Sequence, residues 1–187
     1  MRLWNIIAGL AALTCILKTA IPAEGQESGF TEYKVKALFL YNFSKYVEWP
    51  PQAFLDANAP ITIGIIGDDN FGEDLPRAVD GKTVGGRTLV IKHLSANDSP
   101  QGCQILFISD SEFSHLDDIL NRTATLPVLT VGEDKLFSKD GGIINFVLKD
   151  GNVRLEINLD SANKAGLKIS SKLLAVADTV KGKAARP

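Results

Sequence analysis

Little in this sequence could carry covalent or acid–base chemistry. Histidine, the usual proton carrier near neutral pH, occurs only at His93 and His115. His115 stands close to Glu112, Asp117 and Asp118. Imidazole and carboxylates together could hold a metal, but this spacing fits no ligand motif and reads as the solvated acidic face of a helix. No Gly-x-Ser-x-Gly nucleophile elbow occurs, and no cysteine pairs with a histidine in a recognised nucleophile pattern. Gly64, Gly67 and Gly72 follow a strand-like run. Their spacing is not that of a dinucleotide fingerprint, and they read as close-packing and turn positions. The residues therefore assign no catalytic group, no metal and no cofactor, and an enzyme is not expected.

A second constellation is ordered along the chain. Asp68 and Asp69 end one strand-like run, Asp110 ends another, Thr130 lies on the next, and Lys149 ends the one after. That order is similar to a two-component receiver domain, where an acid pair holds magnesium and a third aspartate accepts a phosphoryl group. Lys149, however, is followed by Asp150-Gly151 and not by the proline usual there. Export would also remove the chain from its phosphodonor. Turn capping alone places carboxylates at strand ends, and that reading is preferred.

The element around which these residues must be arranged is the stretch Glu32 to Trp49, read as one long helix stopped by Pro50 and Pro51. At about 100° per residue, Val35, Phe39, Phe43, Tyr46 and Val47 share one side, and Lys34, Ser44, Lys45 and Glu48 the other. So wide an aromatic arc should pack across a sheet. Asn42 falls inside the arc and needs a partner there.

After it, Ile61 to Gly67 and Cys103 to Ser109 are continuous apolar runs, as in strands buried on both faces of a parallel sheet. Arg87–Leu94 and Pro127–Val131 are further strands. Helices are expected over Phe71–Val79, with Pro76 inside, and over Glu112–Asn121, capped by Ser111 with Phe113, Leu116, Ile119 and Leu120 inward. Gly142–Lys149 and Asn152–Asn158 flank Asp150-Gly151, the signature of a tight hairpin. Arg154 and Glu156 on one face of the second strand suit an exposed sheet edge. A helix turn over Ser161–Ala165 ends at Gly166, and Ser170 or Ser171 caps a final helix with Leu173, Leu174, Ala177 and Val180. The fold class is α/β: a mostly parallel central sheet flanked by helices, closed by an antiparallel C-terminal hairpin.

Residues 1–23 read as an export signal. Arg2 supplies the charge, Ile6–Leu17 the short apolar run, and cleavage follows Ala23. The rival readings are an uncleaved anchor and lipid attachment at Cys15, whose preceding residues Ala12-Leu13-Thr14 match a lipoprotein signal poorly. Residues 30–180 form a single domain and 181–187 a solvated, flexible tail. The net charge of −2 gives no general attraction to nucleic acid or anionic lipid. With Cys15 removed, Cys103 is left without an intramolecular partner and reads as a buried, inert thiol.

The helix stretch carries a family resemblance. Tyr33, Lys36, Phe39, Tyr41, Asn42, Phe43, Trp49 and Pro50 resemble the signature helix of the YfiR-like exported proteins. The similarity continues through Ile65–Asp69, Cys103–Ile108, Asp150-Gly151 with Val153–Asn158, and Ala165–Ser170, and ends at Leu173, Leu174 and Ala177. It implies a periplasmic, non-enzymatic homodimer that restrains the sensing domain of an inner-membrane diguanylate cyclase or sensor kinase. An outer-membrane lipoprotein that sequesters it, and an effect on cyclic di-GMP and biofilm formation, are implied as well. The family pattern pairs the cysteine at position 103 with one on the first strand, where this chain has Gly64. It also places a basic residue and a histidine where this chain has Lys168 and Ser170. The candidate contact residues are Leu167, Lys168, Ser170, Leu173 and Leu174, with the closing hairpin. The alternative is a periplasmic small-molecule-binding module whose site lies at the sheet's carboxyl edge, near Asp68 and Asp110.

Overall fold

The computed structural model describes the backbone of residues 25–183 and the side chains of residues 32–183. The expected signal segment with its Ala23 cleavage site, Cys15, and the last residues of the tail, 184–187, lie outside it. The elements run α1 (Gly25–Tyr46), β1 (Val47–Glu48), β2 (Ile61–Ile66), α2 (Asp74–Val79), β3 (Thr83–Val84), β4 (Arg87–Leu94) and β5 (Ile105–Ile108). A 3₁₀ segment (Asp110–His115) and α3 (Leu116–Thr123) follow. The chain continues through β6 (Leu129–Gly132), β7 (Ile144–Lys149), β8 (Asn152–Asn158), α4 (Leu159–Lys164), β9 (Lys168–Ile169), α5 (Ser171–Leu174) and β10 (Thr179–Lys181).

The two continuous apolar runs become the neighbouring central strands β2 and β5. The sheet order is β10-β8-β7-β6-β5-β2-β4-β3. From β4 to β7 all pairings are parallel, and β8 returns antiparallel to β7. Strand alternation divides the buried side chains between two layers. Ile63, Ile65, Phe107, Val131 and Phe146 pack with Leu40 and Phe43 of α1. Ile66, Leu106 and Ile108 pack with Leu116, Ile119 and Leu120 of α3. The hairpin turn is as its sequence demands: Asp150 and Gly151 take φ of 52° and 71°, which a tight two-residue turn requires at both positions.

The long helix stops at Tyr46, three residues short of Trp49. Prolines act here through a missing donor. In a continued helix the Tyr46 carbonyl would accept from residue 50, which is Pro50 and has no N–H. Instead it accepts from Ser170 N at 2.9 Å. Val47 and Glu48 then pair antiparallel with Ile169 and Lys168. The buried arc is also shifted. Lys36, Ala37, Leu40, Phe43 and Ser44 are the buried positions, whereas Val35, Phe39 and Asn42 are half-buried. Ser44, expected outward, donates its hydroxyl to the Tyr41 carbonyl at 2.6 Å.

Other expectations change as well. The chain from Ser170 makes one helical turn, α5, and then a strand, because Asp178 N donates to Leu155 O at 2.9 Å and docks Thr179–Lys181 on β8. Strand β8 is therefore internal and β10 is the edge. Lys181 belongs to that strand, and the Lys183 carbonyl accepts from Asn163 Nδ2 at 2.8 Å, so the tail begins later than residue 181. The segment before α3 is 3₁₀, capped by Ser109 rather than Ser111, and Phe113 is 54% exposed rather than inward. Helix α2 starts at Asp74, which leaves Pro76 in the first turn, where no N–H is needed.

Phe137 is enclosed between Gly132 and Gly142, where an added Cβ at either position would overlap its ring. Gly142→Ala is expected to destabilise the fold by about 1–3 kcal/mol through overpacking. Thermal denaturation should show the loss, and adding Phe137→Leu should recover part of it. An unchanged melting temperature in the single variant would sink the argument.

Candidate functional site

Charged side chains converge where α1 crosses the carboxyl edge of the sheet. Tyr33 and Lys36 are one helical turn apart and so share a face. Glu133 follows β6 directly and reaches up to both. Lys36 Nζ lies 2.5 Å from Glu133 Oε2, with side chains 4% and 6% exposed, and also contacts Glu32 one turn earlier. Tyr33 donates its hydroxyl to Glu133 at 3.1 Å and accepts from Asn70 Nδ2 at 3.1 Å. The Lys36 ammonium sits 4.4 Å from the centre of the Tyr33 ring. The Asp110 N–H points to Glu133 Oε1 at 3.4 Å. The cluster lines a cleft of about 420 Å³ that also includes Lys135, Asn145 and Leu148. It presents charge and hydrogen-bonding groups to a polar ligand.

Burial, and then the Glu133 carboxylate, push the Tyr33 hydroxyl well above the usual tyrosine range, with the Asn70 hydrogen bond opposing. An unfolded tyrosine titrates near 10.0. A raised folded value means that the linked stability is complete below that pH and is lost as pH rises beyond it. Tyr33→Phe should therefore flatten the fall of melting temperature between about pH 10 and 11. Equal slopes in the two proteins would count against this linkage.

Glu133, Asn70 and Asn145 were not anticipated from the sequence. For Glu133 a signal existed: it is a carboxylate just after a strand, like Asp68 and Asp110. The receiver-like set does not converge. Asp69 Oδ2 lies 2.7 Å from His93 Nε2, Thr130 accepts from Ile143 N at 3.1 Å, and Lys149 meets Asp178 at 3.3 Å on the hairpin. His115 Nδ1 lies 2.9 Å from Glu112. Among the described residues no group of three or more His, Cys, Asp and Glu side chains is placed to hold a metal ion.

The candidate contact residues lie at the other end of α1. Pro50 faces Gly166, β9 pairs with β1, and Ser170 Oγ accepts from Leu173 N at 3.3 Å. The end of the signature helix and residues 166–174 thus form one unit. Leu167 and Leu173 are core residues, each 2% exposed. Lys168 is exposed, and Ser170 and Leu174 are half-buried. Of the signature residues, Phe43 stacks against Phe146 and Phe39 meets it tilted at 48°, each at 6.0 Å. Tyr41 carries Lys45 over its ring at 4.3 Å, and Trp49 Nε1 donates to Gln104 O at 3.0 Å.

Cys103 is 3% exposed, and burial raises its thiol pKa, with Lys92 opposing. A Cβ placed on Gly64 would lie 3.0 Å from Cys103 Sγ and 2.9 Å from Leu106 Cδ1. A thiol there would be in reach of Cys103. Gly64→Cys is expected to form an internal disulfide under oxidising conditions, read as loss of free thiol in the denatured protein. Two free thiols persisting after oxidation would contradict the geometry.

Residues 33–178 match the YfiR/HmsC-like family. No curated protein matches the chain. A conserved domain protein from Vibrio cholerae is similar in structure at 14% identity and a TM-score of 0.49, covering 70% of this chain and 57% of that one. An ABC domain in complex with L-Trp from Streptococcus pneumoniae is similar at 12% identity and a TM-score of 0.54, covering 78% of this chain and 60% of that one. The chain thus spans less than two thirds of either structure, and the second likeness is one of fold. With its family match running from Tyr33 in α1 to Asp178 before β10, the chain belongs to the YfiR/HmsC-like family.

Proposed function

We propose that the chain is an exported, periplasmic, non-enzymatic regulator that binds the sensing domain of an inner-membrane signalling protein and holds it inactive. The family match over residues 33–178 carries this reading. The partner proposed is a diguanylate cyclase, with a sensor kinase as the variant, and the output is cyclic di-GMP and biofilm growth. Restraint of this kind is a population shift: the regulator must bind the inactive conformation more tightly than the active one. A lipoprotein of the outer membrane that sequesters the regulator would reverse it by mass action, and the regulator acts as a homodimer.

The contact surface proposed is the unit formed by β1, β9 and α5. Lys168 and Leu174 offer a cation beside an apolar group there, and Val176 just after α5 is 60% exposed. Leu167 and Leu173 support that surface from the core. The mature chain, residues 24–187, should capture a cyclase or kinase from detergent-solubilised inner membranes, identified by mass spectrometry. Lys168→Glu combined with Val176→Asp, both at exposed positions, should weaken capture about ten-fold or more while the melting temperature stays close to that of the parent. Absence of any such membrane protein, even after crosslinking, would overturn the regulator reading. Undiminished capture by the double variant would overturn the surface.

A further inference from the structure

One edge of the sheet is left open. Strand β3 covers only the start of β4. Val84 pairs with Arg87 across Gly85-Gly86, whose φ angles of 58° and 81° make a tight two-residue turn, and Thr83 pairs with Thr88. In such a turn the closing pair exchanges both backbone bonds, so the Arg87 N–H and C=O face β3. Backbone groups alternate in direction along a strand. Those of Ile91 and His93 therefore face the same way as those of Arg87, beyond the end of β3, while those of the even-numbered residues turn towards β2. Lys82 stands opposite Leu89, and its own N–H turns back to the Val79 carbonyl at 3.0 Å. Among the described residues nothing bonds the outward N–H and C=O groups of Ile91 and His93. Such a row of free groups is a template for one more strand.

A groove of about 600 Å³ runs beside this edge, between α2 and β4, and Arg77, Val79, Leu89 and Ile91 are in its lining. An extended chain laid along the edge would carry alternate side chains over that groove. Its other side chains would lie beside Val90, which is 40% exposed, and Lys92, which is exposed. Lys92 decides which chain fits. It forms no ion pair among the described residues. Two copies of this protein that joined through both Ile91 and His93 would pair about Lys92. The two Lys92 side chains would then stand opposite each other at the closest cross-strand spacing, where like charges repel. Moving the axis towards Arg87 runs the second strand into Lys82. Moving it the other way meets the turn at Ser95, whose carbonyl already accepts from Asp98 N at 3.0 Å. A strand with a carboxylate opposite Lys92 meets none of these obstacles and gains an opposite-charge pair.

We propose that the open edge of β4 binds an extended, acidic and apolar segment of another protein as an added antiparallel strand. The backbone of that segment pairs with Ile91 and His93. A carboxylate stands opposite Lys92, and the apolar side chains flanking it enter the groove beside α2. Strands β1 and β9 form a separate sheet, so this contact is additional to the surface proposed above and does not depend on it.

The test is amide hydrogen exchange of the ¹⁵N-labelled mature chain in the presence of three end-blocked peptides. They are Thr-Thr-Val-Glu-Val-Thr-Thr and its counterparts with Gln or Lys in place of Glu. The acidic peptide should slow exchange at the Ile91 and His93 amides saturably. It should bind about three- to five-fold more tightly than the Gln peptide, the effect of one cross-strand ion pair, and the Lys peptide should bind most weakly. Lys92→Glu should reverse the order of the acidic and Lys peptides. His93→Pro removes an outward N–H at an exposed position and leaves the ladder to β2 in place, so it should weaken all three. No slowing at either amide up to about 5 mM peptide would overturn the proposal. An order of affinities unmoved by Lys92→Glu would do the same. A dimer seen by sedimentation and lost in His93→Pro would give the edge to a second copy of the chain, and would also overturn it.

Discussion

Lys36 brings an ammonium group to a place where its side chain is 4% exposed, and a charge so buried must be matched where it lies. Glu32, on the same helix, cannot tell α1 where to sit on the sheet. Glu133 can, because it is anchored at the end of β6. The Lys36–Glu133 pair therefore sets the position of α1 along its axis. The aromatic contacts obey that setting. Tyr33 meets Phe71 at 5.4 Å, Phe71 meets Phe107 at 4.8 Å, and Phe146 receives both Phe39 and Phe43. Aromatic contact is broad and tolerant of small slips, whereas an ion pair out of water is not. Stability comes mainly from the aromatic burial, and the pair supplies the register.

The other end of α1 obeys a backbone constraint. Pro50 and Pro51 would leave the Tyr46 and Val47 carbonyls without donors in a continued helix. A helix end buried against other elements cannot leave such groups empty. Residues 168–170 answer that need, through the Ser170 N–H to Tyr46 O bond and the β1–β9 pairing. The signature helix and the segment before α5 are therefore one structural statement made by two distant parts of the sequence. This is why the proposed contact surface sits beside the motif that identifies the family.

Much of this was legible because apolar continuity and turn chemistry are local. Ile61–Ile66 and Ile105–Ile108 announce central strands, and Asp150-Gly151 announces its hairpin. What stayed hidden was non-local or masked by neighbours. Glu133 has its meaning through Lys36, 97 positions away. Asn145 sits inside Ile143–Val147 and looks like an interruption in a strand rather than an anchor for the Asp134 carbonyl. Strand β10 follows a stretch rich in leucine and alanine whose spacing suits a helix. It is the hydrogen bond from Asp178 to β8 that turns it into an edge. Leu167 and Leu173 could equally be surface or core by periodicity, and packing alone places them inside.

The family resemblance implies a disulfide tying the first central strand to the position of Cys103, two residues before β5, and Gly64 removes it. The structure shows what holds that corner instead. Gln104, 1% exposed, accepts at Oε1 from Thr62 N at 2.7 Å and donates from Nε2 to Ala53 O at 2.6 Å. Its own carbonyl takes Trp49 Nε1 at 3.0 Å and Leu129 N at 2.8 Å. One buried residue, through its side-chain amide and its own carbonyl, thus joins β2, β6 and the segment that follows α1. Net hydrogen bonds contribute about 1 kcal/mol each, so this set is comparable with the roughly 2–4 kcal/mol of a disulfide. The two devices differ in kind. A crosslink acts largely on the unfolded chain and depends on redox poise. Gln104 acts only in the folded state and is indifferent to oxidant. With Cys103 buried and its thiolate disfavoured, the corner is built to hold its shape whatever the oxidation state around it.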